Sequence, residues 1–165
     1  MNTGQRTHTF YGALDAFFPA VLALGDDLRR SEQLQESSYR MWNVAGIEPE
    51  QFDYVKMQIT SPNYELRPEI IESTYYLYHY THDPKYLAMG KTYFDGLVKY
   101  CRTDEAYAAL ADVRSKQKRD SMESFFFAET LKYLYLLFAP ESTLDFNSVI
   151  FNTEAHPMKR SLGLK

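Results

Sequence analysis

"RPEIIESTYYLYHYTHDPKYLAMGKTYFDGLVKY", residues 67–100, decides the fold of this chain. Its first half carries apolar side chains at helical spacing behind Pro68, whose fixed φ suits the first turn of a helix. Asp83-Pro84 breaks the run as a short turn, and residues 85–100 resume it as a second helix running antiparallel to the first. One helix, a turn and a returning helix make a hairpin.

The same pattern extends in both directions. From Thr7 to Leu24, Phe10, Leu14, Phe17, Phe18 and Leu22 fall on related helical faces, which predicts a helix kinked near its middle by Pro19. Gly25 ends it, and Asp26 or Asp27 caps a second helix that runs to about Ala45–Gly46. A loop containing Pro49 and Pro62 leads to Arg67. Past the hairpin, residues 103–120 are polar and less regular. "SMESFFFAETLKYLYLLF", residues 121–138, predicts a fifth helix with Ser121 as its cap and Pro140 as its stop. "SVIFNTEAHP", residues 148–157, is rich in β-branched and aromatic residues and is the best strand candidate. The expected class is therefore all-α, with stacked helical hairpins as in a bundle, a solenoid or an α/α barrel, and a short terminal β segment. No internal period marks a helical repeat array.

Length and composition narrow the function. The 165 residues suit a single domain, 1–165, and 45% hydrophobic content supplies a core. The net charge of −4 is built from interspersed charges, so nothing favours nucleic acid or an acidic membrane surface as partner. Aromatic residues make up 16% of the chain; most serve packing, but such a surplus also suits a surface that stacks on the flat faces of sugars. Cys101 is the only cysteine, so no intrachain disulfide forms. No signal-peptide pattern opens the sequence, and no apolar run reaches the length of a membrane helix.

Several residues carry potential chemistry. Arg67 and Glu69 flank Pro68 at the mouth of the third helix, and Glu72 shares the face of Glu69. A first-turn carboxylate there is stabilised by the helix dipole whatever its function. Glu129 sits in "FFFAETLKYLYLLF", four residues after Phe125 and on the same face. A carboxylate in so apolar a stretch needs a partner or a metal. Near the end, Asn152, Thr153, Glu154 and His156 crowd oxygen and nitrogen donors into a few residues. An all-oxygen set suits a hard cation such as Ca²⁺, and clustered carboxylates also suit glycoside hydrolysis.

The order and wording of these segments add more. "LRPEIIESTYYLY" (66–78), "MESFFFAETLKYLYLLF" (122–138) and "IFNTEAHP" (150–157) together closely resemble the class I α-1,2-mannosidases, glycoside hydrolase family 47. "DAFFPAVLALGDD" (15–27) is similar to a further segment of that family, with Ala20 where glycine is usual. The resemblance runs from about Gly12 to His156.

What this resemblance implies is a Ca²⁺-dependent (α/α)₇ barrel that inverts configuration while trimming mannose from the N-glycans of glycoproteins. Carried over position by position, Thr153 is the direct protein ligand of Ca²⁺, through its carbonyl and hydroxyl oxygens. Glu69, Glu129 and Glu154 hold calcium-bound waters. Glu69 is the expected general base, with Glu129 the second catalytic carboxylate. Arg67, Glu129 and Glu154 contact the sugar, and Phe125 forms its apolar floor. The family also implies the endoplasmic reticulum or secretory pathway as compartment.

Two departures qualify the match. The resemblance covers only the C-terminal part of the family's domain, so the barrel is incomplete and the general-acid glutamate belongs to a segment not matched here. Ala16 and Ser38 stand where processing members carry a disulfide. That pattern, with "FDYVKMQITSPNYELRPE" (52–69), is closer to the ER-degradation-enhancing branch, which acts on misfolded glycoproteins with an oxidoreductase partner. The competing expectation is a helical module that binds glycan or a partner without turnover.

Overall fold

A computed structural model describes residues 8–160. Five α-helices dominate: α1 (Phe18–Leu24), α2 (Leu28–Ala45), α3 (Glu69–Thr81), α4 (Lys85–Tyr100) and α5 (Leu131–Phe138). They form antiparallel hairpins, and α3 lies at the centre, packed against α1, α2, α4 and α5. Asp27 caps α2 through its side chain, which accepts from the backbone N–H of Arg30, and Gly46 closes it in the left-handed conformation with φ of 71°. The α3–turn–α4 hairpin is as the sequence predicts, with Pro68 immediately before the first helical residue.

The helices join through buried polar groups as well as apolar ones. Ser31 Oγ donates to the Pro19 carbonyl at 2.6 Å, tying α1 to α2, and Ser73 Oγ donates to the Ala16 carbonyl at 2.6 Å, tying the turn before α1 to α3. Gln35 Nε2 bridges to Thr74 Oγ1 at 2.7 Å. Trp42 is fully buried, its ring centroid 4.6 Å from that of Tyr93 and 5.8 Å from that of Tyr64. Hydrogen bonds of this kind fix register between helices that apolar packing alone would let slide.

Three expectations are corrected. The first stretch is not one kinked helix; its start at Thr7 lies outside the described residues. Phe10–Gly12 forms strand β1, Ala13–Phe17 a 3₁₀ turn, and Pro19 sits in the first turn of α1, where its missing N–H costs nothing. The loop after α2 contains β2 (Gln51–Asp53) and β3 (Gln58–Ser61), which with β1 make an antiparallel sheet in the order β1-β2-β3. The polar segment 103–120 includes a small hairpin, β4 (Leu110–Asp112) with β5 (Gln117–Lys118).

The fifth helix also starts later than expected. Ser121 is no cap: its hydroxyl donates to Glu123 Oε1 at 3.2 Å, and both residues precede the helix. The helix begins at Phe125 and runs through a π-helical turn, Phe126–Thr130, into α5. The tail is a hairpin rather than one strand: β6 (Val149–Phe151) pairs with β7 (Pro157–Lys159), and Pro157 opens the return strand opposite Phe151.

Among the apolar side chains exposed in the described residues are Leu14 and Phe17 on the 3₁₀ turn with Phe18, Val21 and Leu24 on α1, and Phe94, Tyr135 and Phe138 on α4 and α5. Apolar patches of this kind mark surfaces that another element covers.

Candidate active site

The site is built where the N-terminal ends of α3 and of the helix leading into α5 meet the tail hairpin. Leu66 holds φ at 62°, and its carbonyl accepts from Thr130 Oγ1 at 2.7 Å inside the core. That bond anchors the π-helical turn to the residue just before Arg67. π-Turns that interrupt α-helices are frequent at functional sites, and this one carries Glu129.

Arg67 and Phe125 come together. The guanidinium carbon lies 5.6 Å from the centre of the Phe125 ring, and Nε donates to Glu50 Oε1 at 2.8 Å. Arg67 is thus held between a carboxylate and an aromatic face, with its position fixed at both ends.

The carboxylates form a chain. Burial pushes the pKa of Glu69 up to about 7, with Glu129 and Glu72 adding to the rise and Arg67 opposing it. Glu69 Oε2 is buried and makes no hydrogen bond among the described residues. Glu129 is also raised to about 7, first by burial and then by the charges of Glu72 and Glu154, while Lys132 opposes the rise. Glu72 is raised as well by burial, against the hydrogen bond from Tyr133 Oη at 2.9 Å. Acids whose environments shift them towards neutrality are candidates for proton transfer.

The tail hairpin presents Thr153 and Glu154 at its exposed tip. Asn152 Oδ1 accepts from the backbone N–H of Glu154 at 3.0 Å and of His156 at 2.9 Å, which shapes the turn. Ala155 is buried with φ of 53°, and its carbonyl accepts from Lys132 Nζ at 2.6 Å. Phe151 packs on Tyr133 with ring centroids 5.7 Å apart. The tip is thereby fastened to α5 beside Glu129. The Thr153 hydroxyl makes no hydrogen bond to any described residue. His156 contributes only backbone groups here, in line with a structural role.

The structure therefore gathers Arg67, Glu69, Phe125, Glu129 and Glu154 around one end of the helices, with Thr153 at the rim. Among the described residues, no three His, Cys, Asp or Glu side chains lie close enough to hold a metal by themselves. Sequence reasoning missed two acids, Glu48 and Glu50, which lie behind Arg67 in the link between α2 and β2. Their signal is "IEPE", residues 47–50, where two glutamates alternate with an isoleucine and a proline that are both buried. Ala16 and Ser38, in place of a disulfide, are both buried; Ser38 Oγ shares a 2.8 Å hydrogen bond with Tyr11 Oη instead.

Comparison with known proteins supplies the family. Residues 1–160 match glycosyl hydrolase family 47. ER degradation-enhancing alpha-mannosidase-like protein 3 of Homo sapiens is 43% identical over 150 residues, covering 90% of this chain, and its Xenopus laevis counterpart is 42% identical over 157 residues, covering 94%. This chain spans 16% and 17% of the length of those two relatives. The solved alpha-1,2-mannosidase from Trichoderma reesei superposes with a TM-score of 0.86 at 32% identity, over 94% of this chain and 40% of that one. The helical hairpins are part of an (α/α)₇ barrel, and the chain belongs to glycosyl hydrolase family 47.

Proposed function

We propose that this chain supplies the general-base side of an inverting, Ca²⁺-dependent α-1,2-mannosidase that trims high-mannose N-glycans of glycoproteins. The observation that carries the reading is Glu69, poised near neutrality at the mouth of α3, with one buried oxygen free and Arg67 beside it.

Each residue has a definite task. Inversion needs a base that takes a proton from water on the face of the sugar opposite the leaving group. Glu69 has the pKa for that transfer near pH 7 and the free oxygen to accept the proton. Glu129 is the second acid in the cluster and orients sugar hydroxyls or water while ionised. Phe125 offers an apolar face to a mannose ring, and Arg67, braced on Glu50, donates to a sugar oxygen. Glu154 adds a further acceptor at the rim.

The donor set fits calcium. Thr153 offers a carbonyl and a hydroxyl oxygen with no competing side-chain hydrogen bond, and Glu69, Glu129 and Glu154 would hold the waters of such an ion. Calcium, when bound, offsets the mutual repulsion of the carboxylates and helps orient sugar hydroxyls. The general acid would come from the part of the barrel outside this chain, whose helices would also cover the exposed faces of α1 and of α4 with α5. The 1–165 segment by itself should therefore release no mannose.

Among the described residues, no helix is long and apolar enough to cross a membrane. Two relatives are named for enhancing ER degradation, which supports the endoplasmic reticulum or secretory pathway as the compartment and misfolded glycoproteins as substrates. An oxidoreductase would then be a partner of the longer protein. The test is mannose release from a high-mannose glycan by the full-length protein, followed by NMR to identify the first anomer formed. β-Mannose that disappears with Glu69→Gln supports the reading; α-mannose as first product, or full activity in Glu69→Gln, overturns it.

A further inference from the structure

The turn that carries Thr153 and Glu154 is shaped by its own bonds but placed by others. Asn152 Oδ1 accepts from the backbone N–H groups of Glu154 and His156. Asn152 N–H donates to the His156 carbonyl at 3.2 Å, and Ala155 N–H to the Asn152 carbonyl at 2.9 Å. These bonds close the turn on itself without fixing where it sits. The strands on either side hold three residues each, and β7 is exposed throughout. A two-stranded hairpin of that size is marginal in water on its own, so contacts with the helices decide its position.

Three contacts supply that position. Phe151, just before the turn, meets Tyr133 edge-on and packs on Phe146 with ring centroids 6.0 Å apart. The Ala155 methyl is buried in the core. Both contacts are apolar and without direction. The third is directional: Lys132 Nζ donates to the Ala155 carbonyl at 2.6 Å. It falls on the residue held at φ of 53°, a left-handed conformation that a residue other than glycine keeps only where its surroundings impose it.

Lys132 stands three residues after Glu129 on one continuous helix, yet this hydrogen bond goes to a neutral carbonyl. An ammonium beside the acids proposed to hold calcium repels the ion. Its charge therefore works against the metal, while its hydrogen bond holds the turn that would receive the metal. The two effects have opposite signs and can be told apart.

We infer that Lys132 is a positioning residue: by holding the Ala155 carbonyl, it sets Thr153 and Glu154 at a fixed place beside Glu129. This deepens the calcium reading and rests on it for its functional consequence; the anchoring of the turn stands without it.

The test uses the full-length protein and compares Lys132→Met, which removes donor and charge, with Lys132→Arg, which keeps both. Losing a hydrogen bond to a charged group corresponds to about a tenfold change in an equilibrium. In the calcium-free protein, hydrogen exchange at the amides of residues 152–156 should be about tenfold faster in Lys132→Met, with α3 at its wild-type rates. Ca²⁺ followed by calorimetric titration should bind about tenfold more weakly to Lys132→Met and within about threefold of wild type to Lys132→Arg.

Calcium binding to Lys132→Met that equals or exceeds wild type would overturn the proposal, because the lysine would then act only through its charge or not at all. Unchanged exchange at residues 152–156 would also overturn it, because the turn would then be placed without this bond. Equal weakening in Lys132→Arg would do the same, since the donor would not be what matters. Lys132→Ala gives the same readouts if Lys132→Met does not fold. A wild-type protein that binds no Ca²⁺ would sink the calcium reading, and the exchange rates would still judge whether Lys132 holds the turn.

Discussion

Arg67 Nε donates to Glu50 Oε1 at 2.8 Å, across a separation of 17 residues, and both side chains are mostly shielded from water. The pair links the strand end of the α2–β2 connection to the mouth of α3. Charge-assisted hydrogen bonds in this setting contribute roughly 1.5–3 kcal/mol. Glu50→Ala should lower the melting temperature by about 4–10 °C, because it also leaves the guanidinium without its carboxylate. A thermal melt followed by circular dichroism checks it; an unchanged melting point would mean that Arg67 finds an equivalent partner.

Glu69 and Glu129 predict how stability depends on pH. Both have folded-state pKa values raised to about 7 from a reference of 4.5. The folded chain therefore holds more protons than the unfolded chain between those limits, and their contribution to stability falls as pH rises from about 4.5 to about 7. His79, lowered by burial, acts in the opposite direction, so the wild-type curve alone is ambiguous. The difference between wild type and Glu69→Gln/Glu129→Gln isolates the two acids. The double variant should gain melting temperature relative to wild type on going from pH 5 to pH 8. A constant difference across that range would refute the shifted values.

Gly96 tests the packing of α4 on α2. A Cβ at this position would meet the backbone carbonyl oxygen of Gly46 at 3.0 Å and the Trp42 ring at 3.2 Å. Trp42 is fully buried and Gly46 ends α2, so neither can step aside easily. Gly96→Ala should destabilise by about 1–3 kcal/mol despite its higher helix propensity. Urea unfolding with an unchanged m-value is the check, and a stabilised variant would show that α2 and α4 are farther apart than described.

Much of this was legible in the sequence because periodicity and punctuation agreed. Asp27, Gly46, Pro68 and Asp83-Pro84 mark helix boundaries that the structure keeps to within a residue or two. Pro19 misled because a proline near the middle of an apolar run reads as a kink. Here the run before it is a strand and a 3₁₀ turn, and the proline begins the helix. The π-turn at Phe126–Thr130 leaves no trace in a pattern only five residues long. Of the site, Arg67, Glu69, Phe125, Glu129 and Glu154 could be named beforehand, since each sits in a motif. Glu48 and Glu50 were missed although "IEPE" sets them between apolar residues, because the burial of Glu48 and the pairing of Glu50 with Arg67, 17 residues on, appear only in the fold.

Calcium binding at the tip of the tail hairpin, beside the acids of α3 and the π-turn, is the central proposal. Its most direct test is the melting temperature of the chain with excess Ca²⁺ and then with chelator. Calcium at about a hundredfold over its Kd should add about 2.7 kcal/mol, some 5–10 °C, and Thr153→Ala should abolish the gain while leaving the calcium-free melt unchanged. A cooperative melt that does not respond to Ca²⁺, or a response that survives in Thr153→Ala, would contradict it.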